Sequence, residues 1–140
     1  MFKYVKCKKV KTEHTVLEFK LIGESDNVEL FNFTGLDDKE LCVVSLKGDE
    51  TKIDKIIKNQ PGEIECEVID YEKFRKLVKN SVQINRIREI VRDKIAKKYT
   101  LADEIALNRL NDLDSKKQDY LNYVNECRAT GEKLKKELGY

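Results

Sequence analysis

The chain has 140 residues, of which 39% are charged and 40% belong to the hydrophobic set. This length suits one compact domain or a small domain with a helical extension. No apolar run approaches about 18 residues, which excludes a membrane-spanning helix. The basic N-terminus lacks the apolar stretch of a secretory signal. We therefore expect an intracellular protein, or one released without a signal.

The net charge of +2 conceals an asymmetry between the two halves. Residues 1–69 contain 11 Lys and Arg against 14 Asp and Glu, a net charge of −3. Residues 70–140 contain 17 against 12, a net charge of +5, and residues 70–99 alone contain 10 against 4. A basic segment of this kind raises the question of nucleic-acid binding.

Glycine and proline divide the chain near residue 70, because both interrupt regular structure. Four of the six glycines and the single proline lie at or before Gly62, and neither residue type occurs again until Gly131. We therefore predict an α+β protein. Residues 1–69 form a small, mostly antiparallel sheet domain with one short helix, and residues 70–140 form a helical arm.

Alternating or continuous apolar residues predict strands in the first half. The predicted strands cover residues 2–10, 15–22, 28–34, 41–46 and 63–69, with a hairpin turn at 23–27. The continuous apolar run at 41–46 is typical of a central strand that is covered on both faces. The lysine-rich first strand also fits an edge strand that its lysines protect from aggregation.

Capping residues predict where the first two helices begin. Asp49 precedes a short helix that reaches about Asn59. Asp70 precedes a long helix over residues 70–98. The apolar spacing of this long helix slips around residues 80–84, which indicates either a kink or two helices joined end to end.

The rest of the arm is predicted to be a helical hairpin over residues 100–130. Thr100 is the predicted N-cap of its first helix. Ser115, with Gln118 three residues later, forms a capping-box signature for the second helix. Gly131 is expected to end this helix. A polar tail over residues 131–140 follows.

The arm carries more apolar surface than one small core needs. A helix of about 29 residues spans roughly 43 Å, so part of it is expected to project or to bind a partner. The candidate protein-interface residues are Phe74, Leu77, Ile84, Ile87, Val91, Tyr120, Tyr123 and Val124.

The common motifs for metal, nucleotide and nucleophilic-serine chemistry do not occur in this sequence. The one histidine, His14, lies near a predicted turn without partners for metal binding or acid–base catalysis. The four cysteines contain no CxxC pair, so we predict reduced thiols, with Cys42 and Cys66 buried in strands. We therefore expect no catalytic residue, no metal, no cofactor and no enzymatic activity.

The basic residues of the long helix have two interpretations. They form a candidate phosphate-binding set whose contacts would be sensitive to salt: Arg86, Arg88, Arg92, Lys94, Lys97 and Lys98. Alternatively they belong to a solvated helix face laced with ion pairs. The second interpretation is favoured because Glu89 and Asp93 interrupt the basic run.

A residue pattern in the last part of the chain has a known counterpart. It consists of Tyr99-Thr100-Leu101, Asp103-Glu104-Ile105-Ala106-Leu107 and Arg109, then a spacer, then Tyr120, Tyr123-Val124 and Glu126-Cys127-Arg128. This pattern resembles the C-terminal stretch of many small phage and prophage proteins, often encoded among virion structural or tail genes. The resemblance covers about 40 of the 140 residues and implies no catalysis.

On this resemblance we expect a non-enzymatic phage or prophage structural or accessory protein, virion or tail associated, that acts through protein–protein interaction and assembly. Its expected partners are other phage structural proteins or a second copy of itself, and no membrane. Its expected location is the host cytoplasm during assembly and then the virion. The alternative is a small nucleic-acid-binding or host-defence-inhibiting protein that uses the basic helix over residues 73–98.

Overall fold

The computed structural model describes residues 1–21 and 27–140. Within these residues the chain forms a four-stranded antiparallel sheet, a two-stranded antiparallel sheet and five α-helices. The predicted α+β fold class is therefore confirmed. The predicted turn at 23–27 and the end of the strand predicted over 15–22 fall largely outside the described residues.

Within the described residues, the strands and the first helix precede the last four helices. The strands are β1 (Phe2–Lys8), β2 (Val10–Lys11), β3 (Val16–Leu17), β4 (Glu29–Phe33), β5 (Leu41–Lys47) and β6 (Glu67–Ile69). The helices are α1 (Glu50–Lys58), α2 (Tyr71–Val78), α3 (Val82–Lys98), α4 (Leu101–Asn108) and α5 (Ser115–Glu137). A 3₁₀ turn at Gly62–Ile64 precedes β6.

The chain divides into two compact units, and the division differs from the predicted one. The first unit contains residues 1–85 and 138–140, and the second contains residues 86–137. Helix α2 belongs to the first unit because the buried ring of Phe74 packs on the sheet. Its centroid lies 4.3 Å from that of Tyr4 and 5.1 Å from that of Phe33.

The four-stranded sheet has the order β4-β5-β1-β6. Five consecutive residues of β5, from Cys42 to Leu46, are buried, so β5 is the central strand that its apolar run predicts. The edge-strand interpretation of β1 is wrong, because β1 lies between β5 and β6. Its lysines have acidic neighbours instead: Lys3 forms salt bridges with Glu50 and Asp54.

The second and fifth predicted strands are shorter than expected. Beyond Leu17, the side chain of Gln60, rather than a neighbouring strand, bonds to the backbone of Lys20. The backbone N–H of Lys20 donates to Gln60 Oε1 at 3.1 Å, and Gln60 Nε2 donates to the carbonyl of Lys20. Before β6, Glu65 adopts a left-handed conformation with φ of 49°, which interrupts the extended backbone.

The helix predicted over residues 70–98 is two helices, α2 and α3. Asp70 caps α2, since its carboxylate accepts from the N–H of Lys73 at 2.8 Å. At the start of α3, Ser81 Oγ accepts from the N–H of Ile84 at 3.3 Å. The N–H of Val82 donates to the carbonyl of Thr34 at 2.9 Å rather than to the preceding helix. The chain therefore breaks between α2 and α3, and this break accounts for the slip in apolar spacing around residues 80–84.

The predicted polar tail is not a tail. Helix α5 continues through Gly131 to Glu137. The next residues pack in the first unit, where Ser45 Oγ donates to the carbonyl of Leu138 at 2.6 Å and the Tyr4 hydroxyl donates to the carbonyl of Gly139 at 2.9 Å. Polar composition therefore marks an exposed helix face here rather than the end of regular structure.

The start of α5 also differs by one residue from its prediction. The carboxylate of Asp114, rather than the hydroxyl of Ser115, accepts from a first-turn amide, the N–H of Lys116, at 2.9 Å. The N–H of Gln118 donates to the carbonyl of Asp114 at 3.0 Å. Asp114 is therefore the residue that precedes the helix.

Gly131 allows α5 to approach α3 closely within the second unit. A Cβ atom at this position would lie 2.5 Å from Val91 Cγ2, well inside van der Waals contact. Gly62 offers a contrast, because a Cβ atom there would meet nothing within 4 Å. Packing against Val91, rather than backbone conformation, therefore leaves no room for a side chain at position 131.

We predict that Gly131→Ala destabilises the protein although alanine is the better helix former by about 1 kcal/mol. Overpacking against Val91 costs about 1–3 kcal/mol, so denaturant unfolding should show a net loss of roughly 1 kcal/mol. Adding Val91→Ala should reverse part of this loss. Gly62→Ala is the matched control and should be near neutral. Equal or higher stability of Gly131→Ala would contradict the packing argument.

Candidate protein-binding groove of the helical unit

The site begins with a capping box that fixes the start of α4. The Thr100 hydroxyl accepts from the N–H of Asp103 at 3.2 Å, and the N–H of Thr100 donates to Asp103 Oδ2 at 2.9 Å. This backbone hydrogen bond lowers the pKa of Asp103 below its ordinary value. Two amide donors that the first turn would leave without partners are thereby satisfied.

Three tyrosines, Tyr99, Tyr120 and Tyr123, form a cluster that connects α3, α4 and α5. The ring of Tyr99 lies 5.0 Å from that of Tyr120, edge to face, and 5.8 Å from that of Tyr123. The hydroxyl of Tyr120 donates to Glu104 Oε1 at 3.0 Å. The hydroxyl of Tyr123 donates to the carbonyl of Lys94 at 3.1 Å. This tyrosine cluster therefore holds α4 through contacts with its neighbours.

Electrostatics support the same arrangement. Burial and the neighbouring Glu104 carboxylate both raise the pKa of Tyr120, which keeps its hydroxyl protonated as a donor. The ammonium of Lys98 lies 4.3 Å from the ring centroid of Tyr123 and 5.8 Å from that of Tyr99. A cation at this distance from an aromatic face is attracted by the ring quadrupole.

Helix α4 exposes its apolar side chains. Every residue of α4 is exposed or half-buried. Leu101 is 73% exposed and Ile105 is 48% exposed, and their i,i+4 spacing places them on one face of the helix. We call Leu101 and Ile105 the apolar face of α4. Grouped apolar side chains in solvent are typical of interaction sites.

A groove of about 450 Å³ lies beside this face in the second unit. Its apolar lining consists of Val91, Ile95, Ala96, Tyr99 and Leu101. Its charged lining consists of Arg88, Arg92, Arg128 and Glu104. We call it the arginine-lined groove. Three guanidinium groups around an apolar floor suit a partner that combines an apolar side chain with a carboxylate.

A second groove, of about 230 Å³, adjoins the first along α5. The two grooves share Arg88, Val91 and Arg128. The smaller one reaches Gly131 and Lys135 toward the end of α5. Together they form an extended concave surface along α3 and α5.

The candidate interface residues fall into two groups. Five are buried within the chain and belong to its own packing rather than to a free surface: Phe74, Ile84, Ile87, Tyr120 and Val124. Three are half-buried: Leu77, Val91 and Tyr123. An apolar stripe at helical spacing predicts that another element or a partner covers that helix face. In this protein, other parts of the same chain cover most of the stripe.

The candidate phosphate-binding residues are all exposed: Arg86, Arg88, Arg92, Lys94, Lys97 and Lys98. The structure brings two of them, Arg88 and Arg92, to the arginine-lined groove. Lys98 lies over the tyrosine cluster instead. Phosphate binding by this set stays a prediction.

Sequence reasoning does not place Leu101, Ile105 and Arg128 at an interface, although all three belong to the residue pattern over 99–128. A signal was present in α4, whose apolar residues lie on more than one face of the helix. One face can pack on a neighbour, so another remains in solvent. Helical spacing gives no comparable signal for Arg128, because its place in the groove depends on the packing of α5.

Across residues 1–21 and 27–140, no group of His, Cys, Asp and Glu side chains is arranged to hold a metal ion. Across the same described residues, none of the helices combines the length and apolarity needed to cross a membrane. His14 is exposed, with its Nε2 atom 3.9 Å from a carboxylate oxygen of Glu13.

We predict that Thr100→Ala weakens α4 selectively. Loss of the capping hydroxyl typically costs about 1 kcal/mol, and faster amide hydrogen exchange should appear in α4 before it appears in α3 or α5. Thr100→Ser is the matched control, because it keeps the hydroxyl acceptor. The same exchange rates in both variants would contradict the role of this cap.

Comparison with known proteins gives no match: no family model, no curated protein and no solved structure matches this chain. The features that bear on function are therefore the apolar face of α4, the arginine-lined groove and the residue pattern over 99–128.

Proposed function

We propose that the chain is a non-enzymatic phage or prophage structural or accessory protein, virion or tail associated, that works by binding other proteins during assembly. The observation that carries this proposal is the apolar face of α4, which lies beside the arginine-lined groove. Leu101 contributes to both, since it is 73% exposed and lines the groove.

The chemistry of this surface favours a protein partner over a nucleic acid. Covering apolar surface stabilises a complex by about 25 cal/mol per Å², and a phosphate backbone offers little apolar surface in return. Arginines beside buried apolar side chains are typical of the residues that dominate protein–protein affinity. The exposed leucine and isoleucine would have no role in a purely electrostatic phosphate contact.

The residues of the phage-like pattern support the proposal by what they do in the structure. Tyr99, Tyr120 and Tyr123 form the tyrosine cluster, and Glu104 accepts a hydrogen bond from it. Thr100 caps α4. The pattern therefore consists largely of residues that position the apolar face, as expected if related proteins present a similar surface to different partners.

The partner in this proposal is a second copy of the chain or another phage structural protein. Either partner would place an apolar side chain in the groove and a carboxylate among its arginines. Arg92 and Arg128 are exposed, so both guanidinium groups are accessible to such a carboxylate.

We predict that the double variant Leu101→Lys, Ile105→Lys loses self-association. Two ammonium groups on the apolar face cannot be buried against a partner without a large desolvation cost. The dissociation constant should rise at least tenfold, or about 1.4 kcal/mol, as measured by sedimentation velocity over a concentration series. Val16→Lys replaces an exposed apolar residue of the first unit, so it is the matched control and should associate normally.

The same variants should then be mixed with purified products of neighbouring genes. Loss of binding in the double variant, with binding retained by Val16→Lys, would identify a heterologous partner at the same surface. The proposal is contradicted if the wild type and the double variant behave alike in both assays.

The alternative function is nucleic-acid binding or inhibition of a host defence through the basic helix. One observation favours it, namely that all six candidate phosphate-binding side chains are exposed on α3. A gel-shift titration over salt tests it. A steep loss of binding as salt rises would favour this alternative, and the absence of binding at low salt would remove it.

A further inference from the structure

Three cysteines of the first unit lie near one another: Cys7 in β1, Cys42 in β5 and Cys66 immediately before β6. We call them the cysteine row. β1 pairs with β5 so that Cys7 lies directly opposite Cys42. On its other side β1 pairs with β6, with Lys6 opposite Glu67, so the next position in this register brings Cys66 opposite Cys7. Directly opposed residues share one face of a sheet. Cys66 also packs against the core cluster that contains Cys7 and Cys42.

Backbone hydrogen bonds distinguish the two pairs. The N–H of Lys9 donates to the carbonyl of Glu40 at 2.7 Å, and these residues continue the β1–β5 register. Cys7 and Cys42, two positions away, therefore form a hydrogen-bonded pair. A strand residue directs both backbone groups to one neighbour, so the β1–β6 register, continued by one residue, gives Cys7 and Cys66 the relation of a non-hydrogen-bonded pair.

This difference selects the disulfide that the sheet can accommodate. In a non-hydrogen-bonded pair the Cα atoms are about 4.5 Å apart, against about 5.5 Å in a hydrogen-bonded pair, and the side chains are closer. A disulfide requires its Cβ atoms to lie about 3.5–4.5 Å apart. By backbone spacing, the Cys7–Cys66 pair meets this requirement better than the Cys7–Cys42 pair. The Cys7 and Cys42 thiols also interact, and this interaction lowers the pKa of Cys42 below its ordinary value.

Accessibility indicates which thiol meets an oxidant first. Cys7 and Cys42 are each 1% exposed, whereas Cys66 is half-buried. Cys66 also lies between the left-handed Glu65 and the first residue of β6, the three-residue edge strand. Its backbone is therefore less constrained by strand pairing than that of the other two cysteines.

We propose that Cys66 and Cys7 form a reversible oxidation site that takes a hydroperoxide as its oxidant. The Cys66 thiolate attacks one peroxide oxygen, the O–O bond breaks, and Cys66 becomes a sulfenic acid as hydroxide leaves. The Cys7 sulfur then attacks the Cys66 sulfur, and the S–S bond forms as water leaves. Two thiols and one hydrogen peroxide give one disulfide and two waters.

The disulfide would join the residue that precedes the edge strand β6 covalently to β1. Because burial raises the pKa of the Cys66 thiol, we expect oxidation to be slow at neutral pH. A small-molecule dithiol would reverse it by thiol–disulfide exchange. This site does not depend on the function proposed for α4, since its residues all lie in the first unit.

The test treats the full chain with hydrogen peroxide and analyses non-reduced peptides by mass spectrometry. The expected product is a monomer that has lost about 2 Da, the two thiol hydrogens, with a Cys7–Cys66 cross-linked peptide that dithiothreitol cleaves. The melting temperature should rise on oxidation, because the link constrains the unfolded chain. Cys66→Ser should abolish the cross-link, and Cys42→Ser should retain it.

Two further variants make the result decisive. Cys127→Ser is the matched control in the second unit, where the thiol is fully buried, and it should oxidise as the wild type does. Cys7→Ala should leave Cys66 as a sulfenic acid that dimedone traps. A Cys7–Cys42 link, over-oxidation of Cys66 without a disulfide, or a fully reduced protein after treatment would each overturn the proposal.

Discussion

The position of α4 depends on the contact that Tyr120 makes with Tyr99 and Glu104. Every residue of α4 is exposed or half-buried, so the helix has no core of its own to hold it in place. Contacts with Tyr120 of α5 hold the helix instead. The ring of Tyr120 lies edge to face with that of Tyr99 at 5.0 Å, and its hydroxyl donates to the Glu104 carboxylate at 3.0 Å. Because these contacts fix α4, Leu101 and Ile105 remain in solvent. The apolar lining of the arginine-lined groove also remains accessible.

Much of the local structure could be predicted from the sequence, because local interactions decide it. A capping side chain bonds to an amide two or three residues away, so Asp70 and Thr100 mark the starts of α2 and α4 correctly. The sequence does not decide between a kink and a break after α2, because the break depends on a hydrogen bond from the N–H of Val82 to Thr34, far away in sequence. Strand order and the cysteine row are likewise products of long-range pairing.

In the candidate site too, local patterns predict some residues and long-range packing decides the others. Tyr120 and Tyr123 could be found from helical spacing and from the phage-like pattern, and both contribute to the site's framework. Phe74 and Ile84 are candidate interface residues by their spacing, but both are fully buried within the chain. Apolar periodicity shows that a helix face is covered and does not show what covers it. The exposed face of α4 is the converse case. Its exposure follows from what α5 leaves uncovered, which spacing alone does not specify.

A partner that covers the apolar face of α4 and the arginine-lined groove would shield both surfaces from solvent. Hydroxyl-radical footprinting of the full chain, alone and in its assembled state, measures this shielding. Oxidation of Leu101 and Ile105 should fall on assembly, while that of the exposed Val16 in the first unit should be unchanged. Equal oxidation of Leu101 and Ile105 in both states, with protection confined to the first unit, would contradict it.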